Sequence, residues 1–201
     1  MLDMKLVVVT PSAMREVFGW RAACKQLGFM CHELQGIASG KPVRWLVMFF
    51  GSPAGVIISY RVDRFFYLIF GRAWFGLRIL FFPLFSFLRL ISCQHEISCK
   101  AQIGPGLRLI HPTLSFVVHG DAIVGKNCVL SGGNSIGVRR QISRGELILG
   151  DDVHLGLHAC ILGPVRVGSH VMIGAGAVVV KDLPDHSTAV GVPAKVISRV
   201  N

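Results

Sequence analysis

The chain has 201 residues, of which 52 % are hydrophobic and 16 % charged, with a formal net charge of +10. That length allows one or two domains and no more. The positive charge points to an anionic partner such as cofactor phosphates or a membrane surface, but no RNA- or DNA-binding signature accompanies it, so nucleic acid is excluded.

Residues 1–10 hold a short apolar run with no basic start and no cleavage site, so they do not read as a secretion signal. Ser12 to Leu27 reads as a helix with Ser12 as N-cap, followed by a loop marked by Gly36, Gly40 and Pro42. Trp45 to Phe50 is apolar but is stopped by Gly51, Pro53 and Gly55, too short to span a bilayer as a helix.

Residues 61–92, RVDRFFYLIFGRAWFGLRILFFPLFSFLRLIS, combine aromatic and aliphatic side chains with Arg61, Arg64, Arg72, Arg78 and Arg89. On a helix these arginines share an arc of about 120°. The favoured expectation is one amphipathic helix lying in a membrane interface, rings in the lipid and guanidiniums on its phosphates, with a kink at Pro83. A helix packed on other subunits is the second reading. A spanning helix ranks last, because each arginine at mid-span costs about 2.5–3.5 kcal/mol on insertion scales.

From residue 94 a period of six takes over. Leu149, Leu155, Ile161, Val167, Ile173 and Val179 are each six after the last. Small or aliphatic residues precede them by two, at Leu147, Val153, Ala159, Val165, Val171 and Ala177. Val118, Val124, Leu130 and Ile136 keep the phase upstream, and Ile97, Ile103 and Leu109 keep it in another register. Neither the 3.6 period of a helix nor the 2 of a strand produces a strict six. A mainly β fold does: a left-handed parallel β-helix of hexapeptide repeats, one hexad per face and the aliphatic inward. Extra residues around His111 and the segment VRRQISRGE, 138–146, should leave the coil as loops. The predicted organisation is therefore a helical, hydrophobic region over 1–93 that binds a membrane or drives oligomerisation, then a β-helix over 94–201. Six cysteines show no CxxC pair. Cys128 and Cys160 fall in the coil register and read as reduced core thiols of a cytosolic protein.

Two segments carry a family resemblance. I-G-P-G-L-R-L-I-H, residues 103–111, resembles a stretch found in the serine acetyltransferase branch of the hexapeptide acyltransferases. I-G-A-G-A-V-V-V-K-D-L-P-D-H-S-T-A-V-G-V-P-A-K-V-I, residues 173–197, is similar to the ending shared by many hexapeptide acetyltransferases. The resemblance implies acetyl-CoA as co-substrate and acyl transfer from a thioester to a hydroxyl. A hydroxyl needs its proton removed as it attacks, and a neutral histidine suits that task. His111 matches the family's catalytic histidine. Glu96, fifteen residues before it, stands where the family has an aspartate that orients the histidine. The family places coenzyme A in a groove between adjacent coils. That makes Gly156, Leu157 and Ala175 donor-binding candidates, with Gly137 and Val138 from a facing coil and Lys181 and Lys195 for phosphates. The groove also implies a homotrimer, since one subunit supplies only one wall.

The acceptor side departs from the pattern. The family has an aspartate before the catalytic histidine, where this chain has Ile110. It has a second histidine where this chain has Glu146. An ammonium buried without a carboxylate is costly, so the favoured expectation is a sugar acceptor. The chain would then resemble exopolysaccharide or capsule O-acetyltransferases, acting on a polysaccharide or lipid-linked glycan precursor at the inner face of the cytoplasmic membrane. Glu146, His119 and His158 are the acceptor-binding candidates. A serine O-acetyltransferase of cysteine biosynthesis is the alternative, and a non-catalytic scaffold the second. His154 and His158 with His111 or His119 do not match a zinc spacing, and no metal is expected.

Overall fold

In the computed structural model the structure describes residues 18–38, 53–80 and 95–199. Among the described residues three helices, α1 (Trp20–Ala38), α2 (Pro53–Phe70) and α3 (Ala73–Leu80), precede fifteen short strands. Strands β1 (Glu96–Ile97) to β14 (Ser187–Val190) wind into a left-handed parallel β-helix with three faces. Sheet A stacks β1, β4 (Val117–Val118), β7 (Ser135–Val138), β10 (Cys160–Gly163) and β13 (Val178–Val179). Sheet B stacks β2 (Gln102–Ile103), β5 (Ile123–Val124), β8 (Leu147–Leu149) and β11 (Val165–Val167). Sheet C stacks β3 (Arg108–Leu109), β6 (Val129–Leu130), β9 (His154–Leu155), β12 (Met172–Ile173) and β14, and β15 (Lys195–Arg199) closes it antiparallel to β14.

The period of six is the core. Leu149, Leu155, Ile161, Val167, Ile173 and Val179, and the residues two before each, are at most 2 % exposed. Ile97, Ile103, Leu109, Val118, Val124, Leu130 and Ile136 join the same cluster. The register confirms the coil spacing: Ile136 lies opposite Ile161, and Leu130 opposite Leu155. Stacking the turns buries one continuous apolar column, which no single hexad could do alone. The loop expected over 138–146 leaves the coil between β7 and β8 one residue later, at 139, since Val138 still pairs with Gly163 in β10. Cys128 points inward, and burial pushes its thiol up to about 12. Cys99, also buried, rises to about 11, first through burial and then through the nearby Asp63 charge. Both thiols stay protonated at neutral pH. Cys160 departs from the expectation of a core thiol. It is half-buried on the outer side of β10, because it precedes the inward Ile161 by one and strand side chains alternate.

The helical region differs most from the sequence reading. The helix expected over 12–27 starts at Trp20 and runs through Gly28 and Gly36 to Ala38. Packing of Ala23, Gln26 and Glu33 outweighs the low helix propensity of two glycines. Ser12 and the 45–50 run lie outside the described residues. The single helix expected over 61–92 is divided. Gly71, with φ 56°, ends α2, and its N–H donates to the Tyr67 carbonyl at 2.8 Å. Pro83 and Arg89 lie outside the described residues.

The arginines of α2 do not face lipid. Arg61 is 0 % exposed and forks onto Glu33, with Nε to Oε2 at 3.1 Å and Nη2 to Oε1 at 2.5 Å. Its remaining N–H groups donate to Gln26 Oε1 and to the carbonyls of Ile103 and Gly104, at 2.9, 2.9 and 2.7 Å. Arg64 donates to the carbonyls of Cys99 and Ala101 at 3.0 and 2.7 Å. Tyr60 Oη donates to the Ala101 carbonyl at 2.8 Å and accepts from Ile103 N–H at 3.2 Å, and Glu33 Oε1 accepts from Leu107 N–H at 3.0 Å. The first turn of a parallel coil has no turn beneath it, so its edge polar groups need partners. Here α1 and α2 supply them. Arg78 lies 3.4 Å from Asp63, which also accepts from Trp74 Nε1 at 2.7 Å. The membrane-surface expectation rested on an arginine face toward phosphate. Arg61 and Arg64 instead cap the coil and Arg78 pairs with Asp63, so the membrane-surface expectation is withdrawn. No helix among the described residues is long and apolar enough to cross a membrane.

Candidate active site

Each turn passes from sheet C to sheet A through a short corner, and these corners stack. His111 projects from the lowest of them, residues 110–116, and is exposed. Its backbone is held on both sides: its N–H donates to the Ser131 carbonyl at 3.0 Å and its carbonyl accepts from Leu114 N–H at 3.2 Å. Glu96 opens β1 opposite Val117, and its N–H donates to the Phe116 carbonyl at 2.7 Å. The two residues therefore flank the same corner segment, and both are exposed. No hydrogen bond joins their side chains among the described residues. Hydrogen bonds of acid–base pairs commonly tighten only when substrate binds.

Above His111 the corner is built from small residues. Gly132 leaves room for it: a Cβ there would lie 3.1 Å from His111 Cβ. Gly133, in the left-handed region at φ 64°, leaves room for His158, whose Nδ1 would be 2.2 Å from such a Cβ. His158 N–H donates to the Gly132 carbonyl at 2.8 Å. One turn further, Gly156 and Leu157 lie under Ala175 and Gly176. Gly176 N–H donates to the Leu157 carbonyl at 2.8 Å. The structure thus brings His111, Gly156, Leu157, His158 and Ala175 onto one stacked edge. Lys195 stands near its C-terminal end, opposite Val190. This edge offers exposed backbone and little side-chain bulk, which suits an extended chain with amide groups.

Replacing Gly156 with alanine should disturb the edge. The new Cβ would meet Ala175 N at 2.6 Å and Ala175 Cα at 3.0 Å, both backbone atoms that yield little. We expect a loss of about 1–3 kcal/mol, the usual cost of overpacking, read by urea unfolding, together with a raised KM for the acyl donor. Unchanged stability and KM would show that the two turns separate freely.

The other candidates fall elsewhere. Gly137 and Val138 lie on β7 opposite Leu162 and Gly163, toward the corner between sheets A and B. His119 sits at that corner, where Nδ1 accepts from Asp121 N–H at 3.3 Å. Lys181 is exposed at the same corner. Glu146 closes the 139–146 loop there, accepting from Ser143 N–H at 2.6 Å and lying 3.4 Å from Arg140. Within one chain, sheet A separates this group from His111. His154 turns to Ser131, Nε2 to Oγ 3.1 Å, and no group of metal-ligating side chains occurs among the described residues.

Sequence reasoning missed Asn134. It is 2 % exposed; its Oδ1 accepts from Gly132 N–H at 2.9 Å and its Nδ2 donates to the Gly156 carbonyl at 2.7 Å. It ties the turn above His111 to the next turn, at Gly156. The Gly132-Gly133-Asn134 run at a coil corner was the available signal.

No family model matches the chain. A serine acetyltransferase of Synechococcus elongatus is 35 % identical over 117 residues, covering 55 % of this chain and 48 % of that protein. The chain spans about half the length, or less, of the curated relatives it matches. The serine acetyltransferase of Neisseria gonorrhoeae superposes with a TM-score of 0.66 at 29 % identity, covering 88 % of this chain and 66 % of that one. Its complex with serine gives 0.65 at 28 %, covering 86 % and 69 %. The likeness is to the hexapeptide-repeat acyltransferases, and within them to the serine acetyltransferase branch. The expected closeness to exopolysaccharide and capsule O-acetyltransferases is not supported. The sugar acceptor is overturned in favour of the alternative reading, serine. Ile110 for aspartate and Glu146 for histidine show only which recognition groups the chain lacks. The loss of one recognition group leaves open which other group replaces it.

Proposed function

We propose that this protein transfers an acetyl group from acetyl-CoA to the hydroxyl of serine. The observation that carries the reading is His111, exposed on a corner of small residues, in a chain similar over most of its length to serine acetyltransferases. His111 takes the proton from the serine hydroxyl as its oxygen attacks the thioester carbonyl. The C–S bond then breaks, and the proton passes to the departing thiolate. The products are O-acetylserine and coenzyme A. Glu96 orients His111 from across the corner. Gly156, Leu157 and Ala175 bind the pantetheine arm, and Lys195 stands at its end.

Gly137, Val138, Lys181, Glu146 and His119 lie on the other side of sheet A, so they reach the same site only from a neighbouring copy. A homotrimer supplies that copy, and Glu146 then brings a carboxylate to the acceptor's ammonium. The free thiols of Cys24, Cys31, Cys99, Cys128 and Cys160 favour a reducing compartment, the cytoplasm.

Coenzyme A release from acetyl-CoA should be saturable in L-serine and should come from a species that light scattering sizes as a trimer. No release with serine would remove the reading and leave the scaffold. A fully active monomer would remove the shared site.

A further inference from the structure

The sheet C to sheet A corner takes a left-handed residue in successive turns: Gly133 at φ 64°, His158 at φ 56° and Gly176 at φ 66°. Glycine is the unstrained choice there. A histidine between two glycines needs a reason. Other non-glycine residues share this backbone region, at the sheet B to sheet C corner, and two pairs of them have visible partners. Asn127 donates to Asp152 at 3.0 Å, and His170 stacks on His186 at 4.7 Å. His158 has none: among the described residues its ring makes no hydrogen bond, and it is exposed.

Its place is informative. The Nδ1–Cε1 edge lies over Gly133, while His111 packs on Gly132. The two imidazoles thus stand on consecutive glycines of one turn, one free to act as base and the other free to donate. Among the described residues the other cation near them is Arg108, exposed on the outer face of β3 three residues before His111. Ile110 and Leu157 are apolar and exposed. The arginines of the 139–146 loop lie across sheet A within one chain and have partners there: Arg139 with the Val180 carbonyl at 3.2 Å, Arg140 beside Glu146 at 3.4 Å, and Arg144 with Gln102 at 3.1 Å.

We infer that His158 recognises the carboxylate of the amino-acid acceptor, holding it while His111 deprotonates the hydroxyl on the same small molecule. The inference rests on the serine reading above. It deepens that reading by assigning the carboxylate contact to a residue of the coil itself.

The test uses His158→Gly and His158→Asn. Glycine removes the ring at a position that favours glycine. Asparagine tolerates the left-handed backbone and keeps an N–H donor. We expect His158→Gly to raise the KM for L-serine about ten- to a hundredfold, the loss of one charge-assisted hydrogen bond. The KM for acetyl-CoA should hold, and His158→Asn should recover part of the loss. L-serinamide, which lacks the carboxylate, should be used equally by the wild type and His158→Gly. Equal losses for serine and serinamide, a raised acetyl-CoA KM instead, or no change would each overturn the inference. If the wild type does not acetylate serine, the serine reading falls first and this assignment falls with it.

Discussion

Replacing His111 with alanine should lower turnover by about 10²–10⁴-fold, the range for a lost general base. A serine hydroxyl is a poor nucleophile at neutral pH, and the exposed imidazole of His158 stands two turns further along the same stacked edge. The ring of His158 lies on Gly133 instead of Gly132. His111 is exposed and its corner is fixed through backbone bonds to Ser131 and Leu114, so alanine should leave the fold and the melting temperature unchanged. The KM for acetyl-CoA should move little, because the donor edge is built from Gly156, Leu157 and Ala175. Turnover at the wild-type level would remove His111 from the chemistry. A loss accompanied by a lower melting temperature would point to a role in holding the corner.

Arg61→Ala should be among the most damaging substitutions for stability, at about 3–5 kcal/mol, the cost of leaving one member of a buried ion pair without its partner. Glu33 would keep its bond from Leu107 N–H but would lose both forks of the guanidinium. The carbonyls of Ile103 and Gly104 would lose their donors at the open end of the coil. Urea unfolding reads the effect, with Arg72→Ala as the comparison. Arg72 is exposed, so its loss should stay within about 0.5 kcal/mol. Similar small effects for both would mean that α1 and α2 rest on the coil without supporting it. Deleting charge at Arg61 and Arg64 should not release the protein from any surface, since both side chains face the coil.

The sequence by itself determined the coil, because a six-residue period is a local signal repeated many times. Each hexad independently places one aliphatic inward, and Leu149 to Val179 do so without exception. It also singled out His111 and Glu96 as candidates, through the segment 103–111 that resembles known acyltransferases and the spacing of fifteen before its histidine. What it did not determine were matters of partner. Arg61 and Arg64 have the same helical spacing whether they meet lipid phosphate or coil carbonyls. Only the packing of α2 on the first turn decided between them. Cys160, one residue before the inward Ile161, was legible from the same phase as an outward position. Asn134 and the two glycines between His111 and His158 take their meaning from turns some twenty residues away in the chain. Periodicity reports which way a residue faces. What it faces is set by residues distant in sequence, and that is decided when the chain closes on itself.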